Sequence, residues 1–343
     1  MKAIRKVKRK YGGIAIENVP PPSPTDEEVL IKIKTASICG SDLHAYTYSP
    51  THHYITTPVT MGHECAGEII EAGSQVKDYR IGDRVVVEAI LYCGTCSSCM
   101  EGNTHLCDEF EVRGMKRDGV FTEQIAIHPK YLHKIPDDLP FDQACLTEPL
   151  AVAAHAAIDN SRISPGDLVL ITGPGPIGML ASYITKAMGA VPIISGISSD
   201  EEVRLPLLRK SGFHTINSEK EDIRFVLHHY FDTNHVDVVL ECSGTSQVIQ
   251  PSLGVLRKGG TLTLVGLYSK IAQVDLTQAV RKEITIRSSC AYEWKNFEQS
   301  LKLLDSNTLD IDNIIAHYSA EDAEQAFEDA VNKKVPKPIF QFS

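Results

Sequence analysis

A chain of 343 residues, 43% hydrophobic and 23% charged, has the mix of a globular protein long enough for two domains, each with its own core. Thirty-four basic residues against 44 acidic ones leave a net charge of −10, with no basic block after the first ten residues. That balance argues against a surface that tracks nucleic-acid phosphates, and no run of about 18 apolar residues marks a membrane span.

The early basic residues (Lys2, Arg5, Lys6, Lys8, Arg9 and Lys10) are not followed by the apolar stretch of a secretory signal, and Met1 to Ile4 alternates as a strand does. Short β-rich runs follow at residues 29–34, 66–70 and 84–87, split by Gly, Pro and Asp turns, and predict an all-β unit of barrel type. Between them stand Cys39-Gly40-Ser41-Asp42-Leu43-His44 and, about 20 residues later, Gly62-His63-Glu64. A catalytic zinc takes three protein ligands of mixed S, N and O type and keeps one position open. Cys39, His63 and a carboxylate, Glu64 or Glu148, would supply them, with Asp42 orienting the imidazole. Taken singly, Cys39 is more often a small buried hydrophobe and His63 a packed core histidine. His52 and His53 fall in a loop, as pocket wall or as an exposed pair.

Cys93, Cys96, Cys99 and Cys107 form C-x2-C-x2-C-x7-C. Four thiolates this close match a closed, structural zinc site that ties together a loop with no core of its own; an iron–sulfur cluster also uses four cysteines, but the polar, glycine-containing lobe fits zinc more simply. Nine cysteines, so clustered, indicate a reducing compartment, and the cytoplasm is the expected location. Cys65, Cys145, Cys242 and Cys290 read as small packed hydrophobes.

Near residue 150 the texture changes to an Ala-rich helical stretch at residues 151–158, then to strands alternating with helices, which predicts a doubly wound parallel sheet. Gly173-Pro174-Gly175-Pro176-Ile177-Gly178 contains G-x-G-x-x-G directly after an apolar strand and at the start of a helix. Gly173 allows the turn, Gly175 lets backbone approach a pyrophosphate, and Gly178 lets helix and strand pack closely. The next strand ends without the acid that would bind the ribose hydroxyls of NAD. Ser198, Ser199 and Arg204 suit a 2′-phosphate, which favours NADP slightly over NAD, while Asp200 either turns back to the ribose or caps the next helix. The division expected is 1–150 for the β unit, 151–284 for the dinucleotide domain, and a tail at 285–343 that returns to the first unit with helices near 296–304 and 320–331 and a final strand near 339–342.

These motifs, with Gly82-Asp83-Arg84-Val85 and Glu148-Pro149-Leu150, resemble in order and spread the medium-chain, zinc-dependent alcohol dehydrogenase family, and within it the sorbitol (polyol) and threonine dehydrogenase branch. The resemblance implies an α/β protein with a GroES-like β-barrel catalytic domain and an inserted Rossmann domain. It implies catalytic zinc on Cys39 and His63 with Glu64 or Glu148, and a proton relay through Ser41 and His44. Ile177, Gly266 and Leu267 would lie along the dinucleotide, and the enzyme would be a homodimer or homotetramer acting on a small alcohol or ketone. Sorbitol dehydrogenases tend to carry Tyr after the relay histidine and Arg-Tyr before the first tail helix; here Ala45 and Ala291-Tyr292 stand instead, so polyol and threonine both remain open as substrates. A nucleotide sensor without chemistry would have no reason to keep Cys39, Ser41, His44, His63 and Glu148 together.

Overall fold

The computed structural model describes residues 1–306 and 308–342, and its chain divides into two compact units. The first comprises Met1–Pro149, Glu293–Asn307 and Ile315–Ser343. Its larger sheet runs in the order Leu132–Lys134, Arg84–Val87, Glu64–Ala72, Val29–Ser37, Lys337–Gln341 and Ile315–Ser319, with Gln124–Ile127 also paired to Val29–Ser37. A three-stranded sheet places Lys2–Lys6 between Ile14–Asn18 and Val59–Thr60. The inward positions carry Ile31, Ile33, Ile69 and Val85, all fully buried, as a one-sided strand pattern requires, and Phe121 from the segment before Gln124–Ile127 is buried too.

The tail returns because its last strand has a place to pair. Phe340 lies opposite Ala36 in antiparallel register, and its ring meets Phe121 edge-on at 5.1 Å and Phe327 of the helix Ala323–Val331. That register carries Lys337 to the start of the same strand. A second pin is His133, which bonds Glu88 at 2.8 Å and Glu298 of the helix Trp294–Asp305 at 2.7 Å, with Phe297 stacked on its ring.

The second unit comprises Leu150–Tyr292 and Thr308–Ile314. Six parallel strands stand in the order His214–Asn217, Val191–Gly196, Leu168–Thr172, Val236–Glu241, Leu256–Leu264 and Thr285–Ser288. The order reverses between Leu168–Thr172 and Val236–Glu241, the place where open α/β sheets bind ligands. Residues 285–288, expected in the returning tail, instead form the sixth strand, and the unit runs on to Tyr292: Ile286 pairs with Leu262, so the backbone ladder holds them there. Cys290 is exposed rather than packed, because it follows the end of that edge strand. Cys65 and Cys145 are buried as expected, and Cys242 is half-buried. Among the described residues no helix is long and apolar enough to cross a membrane.

Candidate active site

The short helix Gly40–Tyr46 begins at Cys39, whose extended backbone precedes the first turn. Asp42, fully buried, accepts the Cys39 N–H at 3.0 Å through one oxygen and the Gly62 N–H at 3.3 Å through the other. One carboxylate thereby fastens the helix start to the segment that carries His63. Gly62 is required at this turn: its φ is +85°, and a Cβ there would stand 2.2 Å from the Phe121 ring. Asp42 Oδ1 faces His63 Nδ1 at 3.8 Å, an ion-pair distance when the imidazole is charged though too long for a hydrogen bond.

The ligand atoms of Cys39, His63 and Glu64 lie within 4.8 Å of one another. Glu148, also buried, falls outside that group, although its carboxyl feels the charges of His63, Glu64 and Cys39. Glu64 Oε2 accepts bonds from Ser37 Oγ and, at 2.5 Å, from Lys337 Nζ, which also donates to the Ile38 carbonyl at 2.9 Å. Glu64 Oε1 and His63 Nδ1 are buried without a hydrogen-bond partner among the described residues. Burial, reinforced by the Glu64 charge, pushes the Cys39 thiol up to about 12. It also raises the Asp42 and Glu148 carboxyls. Four acidic groups, Cys39, Asp42, Glu64 and Glu148, gather near one buried lysine that bonds Glu64 alone among them, and buried charges are stable only when paired or bound to a metal. The donor set, one sulfur, one imidazole and carboxylate oxygen, is that of a catalytic zinc.

Ser41 Oγ is 3.3 Å from His63 Nε2, and His44 lies one turn further along the same helix. His44 stacks on His52 with ring centres 5.1 Å apart, and burial lowers its pKa. His52 is buried, so of the two readings of that loop histidine the exposed one is wrong; His53 is exposed.

Cys93, Cys96, Cys99 and Cys107 also have their sulfurs within 4.8 Å of one another, with Cys93 Sγ at 4.0 Å from Cys99 Sγ and 3.5 Å from Cys107 Sγ. A tetrahedron with Zn–S of about 2.3 Å sets its sulfurs roughly 3.8 Å apart. Backbone N–H groups of Thr95 and Cys96 point at Cys93 Sγ, and those of Cys93 and Glu109 at Cys107 Sγ. Such donors favour thiolates, and the Thr95 N–H foremost brings Cys93 down to about 6.

In the second unit Gly173 takes φ +89° against Ser243, and Gly178 packs so tightly that a Cβ would lie 2.0 Å from the Gly173 carbonyl oxygen. At Gly175 a Cβ would meet nothing among the described residues within 4 Å, leaving the start of the helix Pro176–Ala187, with Ile177 in its first turn, open to a pyrophosphate. A cavity of about 360 Å³ lies at the strand ends here, lined by Thr172, Ser195, Ser218, Asp222, Val248 and Pro251 among others. Asp200 turns back: it accepts the Ile197 N–H at 3.1 Å and sits 3.5 Å from the Arg204 guanidinium, which is largely buried. Arg204 is thus held by Asp200. Ser198 donates its N–H to Glu219 at 2.9 Å, and Ser199 follows it in the same turn. Gly266 lies against Gly244, and the Leu267 side chain is exposed.

Residues 25–137 match the family model for the alcohol dehydrogenase GroES-like domain, and residues 176–306 that for zinc-binding dehydrogenase. The chain is 35% identical over 331 residues to a sorbitol dehydrogenase of Halalkalibacterium halodurans, covering 95% of each protein. It is 37% identical over 349 residues to an L-threonine 3-dehydrogenase of Pyrococcus furiosus, covering 99% of this chain and 98% of that one. A crystal structure of a zinc-binding dehydrogenase from Sinorhizobium meliloti 1021 bound to NADP superposes with a TM-score of 0.90 at 27% identity, covering 99% of both chains. The chain belongs to the zinc-binding alcohol dehydrogenase family. Its GroES-like unit and Rossmann unit are those of that family, and it is a zinc-dependent dehydrogenase of alcohols or polyols.

Two residues of this dehydrogenase escaped sequence reasoning. Lys337 lies 273 residues from its partner Glu64, and no local pattern links them. Glu241, fully buried at the end of its strand, accepts bonds from Thr172 Oγ1 at 3.1 Å and the Ser243 N–H at 2.8 Å, and from the hydroxyls of Ser243 and Tyr268. It ties the glycine turn to the loops after the next two strands. The only signal was an acid ending an otherwise apolar strand.

Proposed function

We propose that the enzyme oxidises the secondary hydroxyl of a sorbitol-like polyol, or reduces the matching ketone, with NADP or NAD. The observation that carries this reading is the convergence of half-buried Cys39 with buried His63 and Glu64, a metal-ligand set with two polar atoms left without protein partners among the described residues. Cys39 and His63 would hold the zinc with a carboxylate; the 4.8 Å grouping favours Glu64, and Glu148 is the alternative. Bound zinc supplies a Lewis acid that lowers the pKa of the substrate hydroxyl toward neutrality. Ser41 takes the hydroxyl proton and hands it to His44, whose lowered pKa keeps it an uncharged acceptor at neutral pH. Lys337 holds Glu64 in place. The glycine turn, with Gly173, Gly175, Ile177 and Gly178, receives the dinucleotide, and Gly266 and Leu267 flank it; Ser198 and Ser199 stand nearest the ribose. Because Arg204 is engaged by Asp200, its part in binding a 2′-phosphate would require that pair to open. The cysteine lobe holds the structural zinc.

L-Threonine is the second substrate reading, supported by the threonine dehydrogenase relative. We place the enzyme in the cytoplasm, in keeping with nine free thiols. A homodimer or homotetramer is favoured by the edge strand Thr285–Ser288 with its exposed Ile286, since open apolar edges seek partners. The test is to follow reduced-cofactor absorbance with NAD and NADP against secondary alcohols, sugar alcohols and L-threonine, with bound zinc counted first. Turnover of a sugar alcohol by zinc-loaded enzyme is the expected result. Turnover of L-threonine alone would transfer the assignment, and none with any of them would refute it.

A further inference from the structure

His52 is a buried histidine with no part in the relay. One face of its ring stacks on His44, with centres 5.1 Å apart and planes 15° from parallel, and Tyr54 tilts against it at 5.4 Å. Nδ1 is 3.0 Å from Thr51 Oγ1, which is in turn 2.7 Å from Ser49 Oγ. Ser49 can give its hydrogen to Thr51 and Thr51 its own to Nδ1, and in that arrangement the ring hydrogen sits on Nε2. Only 3% of the residue is exposed, yet Nε2 meets no hydrogen-bond partner among the described residues. The atom is not sealed from solvent, so the small opening beside the ring leaves it within reach of a bound hydroxyl. Its stacking partner His44 stands on the helix that begins at Cys39, which places the ring beside the candidate zinc site. Burial, then the charges of His44 and His63, push its pKa down to about 4, so at neutral pH it is an uncharged donor.

From this geometry we infer that His52 is a specificity-determining residue, whose Nε2–H donates a hydrogen bond to a second hydroxyl of a polyol whose first hydroxyl is the one oxidised. The inference rests on the alcohol dehydrogenase reading above and deepens it. An uncharged donor held between aromatic faces suits a neutral hydroxyl, whereas the carboxylate of an amino acid would call for a cation. A site built to bond a substrate hydroxyl discriminates strongly against an analogue that lacks it, because its own polar group is then left unbonded.

The experiment compares kcat/KM for sorbitol and for propan-2-ol in the zinc-loaded wild type, His52→Phe and His52→Gln. In the wild type sorbitol is preferred. Phe keeps the stacking and deletes the donor, so the preference should fall at least tenfold, mainly through the KM for sorbitol. Gln, whose amide N–H can reach the Nε2 position, should recover part of it. Equal loss for both substrates, or no change in their ratio, would show that His52 only packs and would overturn the inference while leaving the dehydrogenase reading intact. A wild type that oxidises L-threonine but not sorbitol overturns the inference together with the polyol assignment.

Discussion

His44 is held in the helix Gly40–Tyr46 against His52, where burial lowers its pKa below the ordinary imidazole value of about 6.5. The sign of the effect on turnover follows directly. An imidazole with a lowered pKa remains neutral, and able to accept the alcohol proton, as the pH falls through 6.5, and loses that ability only at more acid pH. The acid limb of kcat/KM for alcohol oxidation should therefore lie below pH 6.5, and His44→Ala should lower kcat by about 10²-fold and erase that limb. A pH–rate profile of the two proteins checks this; an unchanged acid limb in the variant would remove His44 from the relay. At this scale the sequence was informative where chemistry is local. Cys39, Ser41 and His44 stand within one short helix segment, and Gly62-His63-Glu64 is contiguous, so both were readable as donors. Lys337 was not, because it reaches its partner through strand pairing across the chain, and His52 was readable only as one of two alternatives, pocket wall or exposed loop, until its stacking partners are known.

At the scale of elements, glycines decide how closely segments approach. Gly178 permits the helix Pro176–Ala187 to begin against the Gly173 carbonyl, where a Cβ would stand 2.0 Å from oxygen. Gly178→Ala should push helix from turn and weaken dinucleotide binding by at least tenfold, measured by titrating cofactor fluorescence, while both zinc ions remain bound. Wild-type affinity in that variant would contradict the role given to the turn. The doubly wound sheet was legible because strand and helix periods alternate cleanly after residue 150, and G-x-G-x-x-G falls at the junction of strand and helix. The boundary of the tail was less so. Residues 285–288 are a short edge strand with alternating exposure, and only their pairing with Leu256–Leu264 assigns them to the second unit.

For the molecule as a whole, the tail Glu293–Asn307 is held in the first unit through His133, which is buried between Glu88 and Glu298. His133→Phe would retain the ring on Phe297 but leave Glu88, 3% exposed, without its imidazole. A loss of about 3 kcal/mol in urea unfolding is expected, with Glu88→Leu added to it restoring part of that loss, since removing both members of a buried polar pair costs less than stranding one. Additive losses in the double variant would show that the pair does not act as a unit. The fold itself was predictable in outline because both units declare their period in sequence; which distant strands pair in the β unit was not, since register there depends on contacts such as Phe340 with Phe121.

The account as a whole depends on two separate zinc sites, one for chemistry and one for structure. Its most direct test is to count zinc per chain and measure turnover in the wild type and in Cys39→Ser. The expected result is two zinc ions and activity in the wild type, and one zinc ion, no turnover and an unchanged circular-dichroism spectrum in the variant. Two zinc ions retained in Cys39→Ser, or turnover at the wild-type rate, would contradict it.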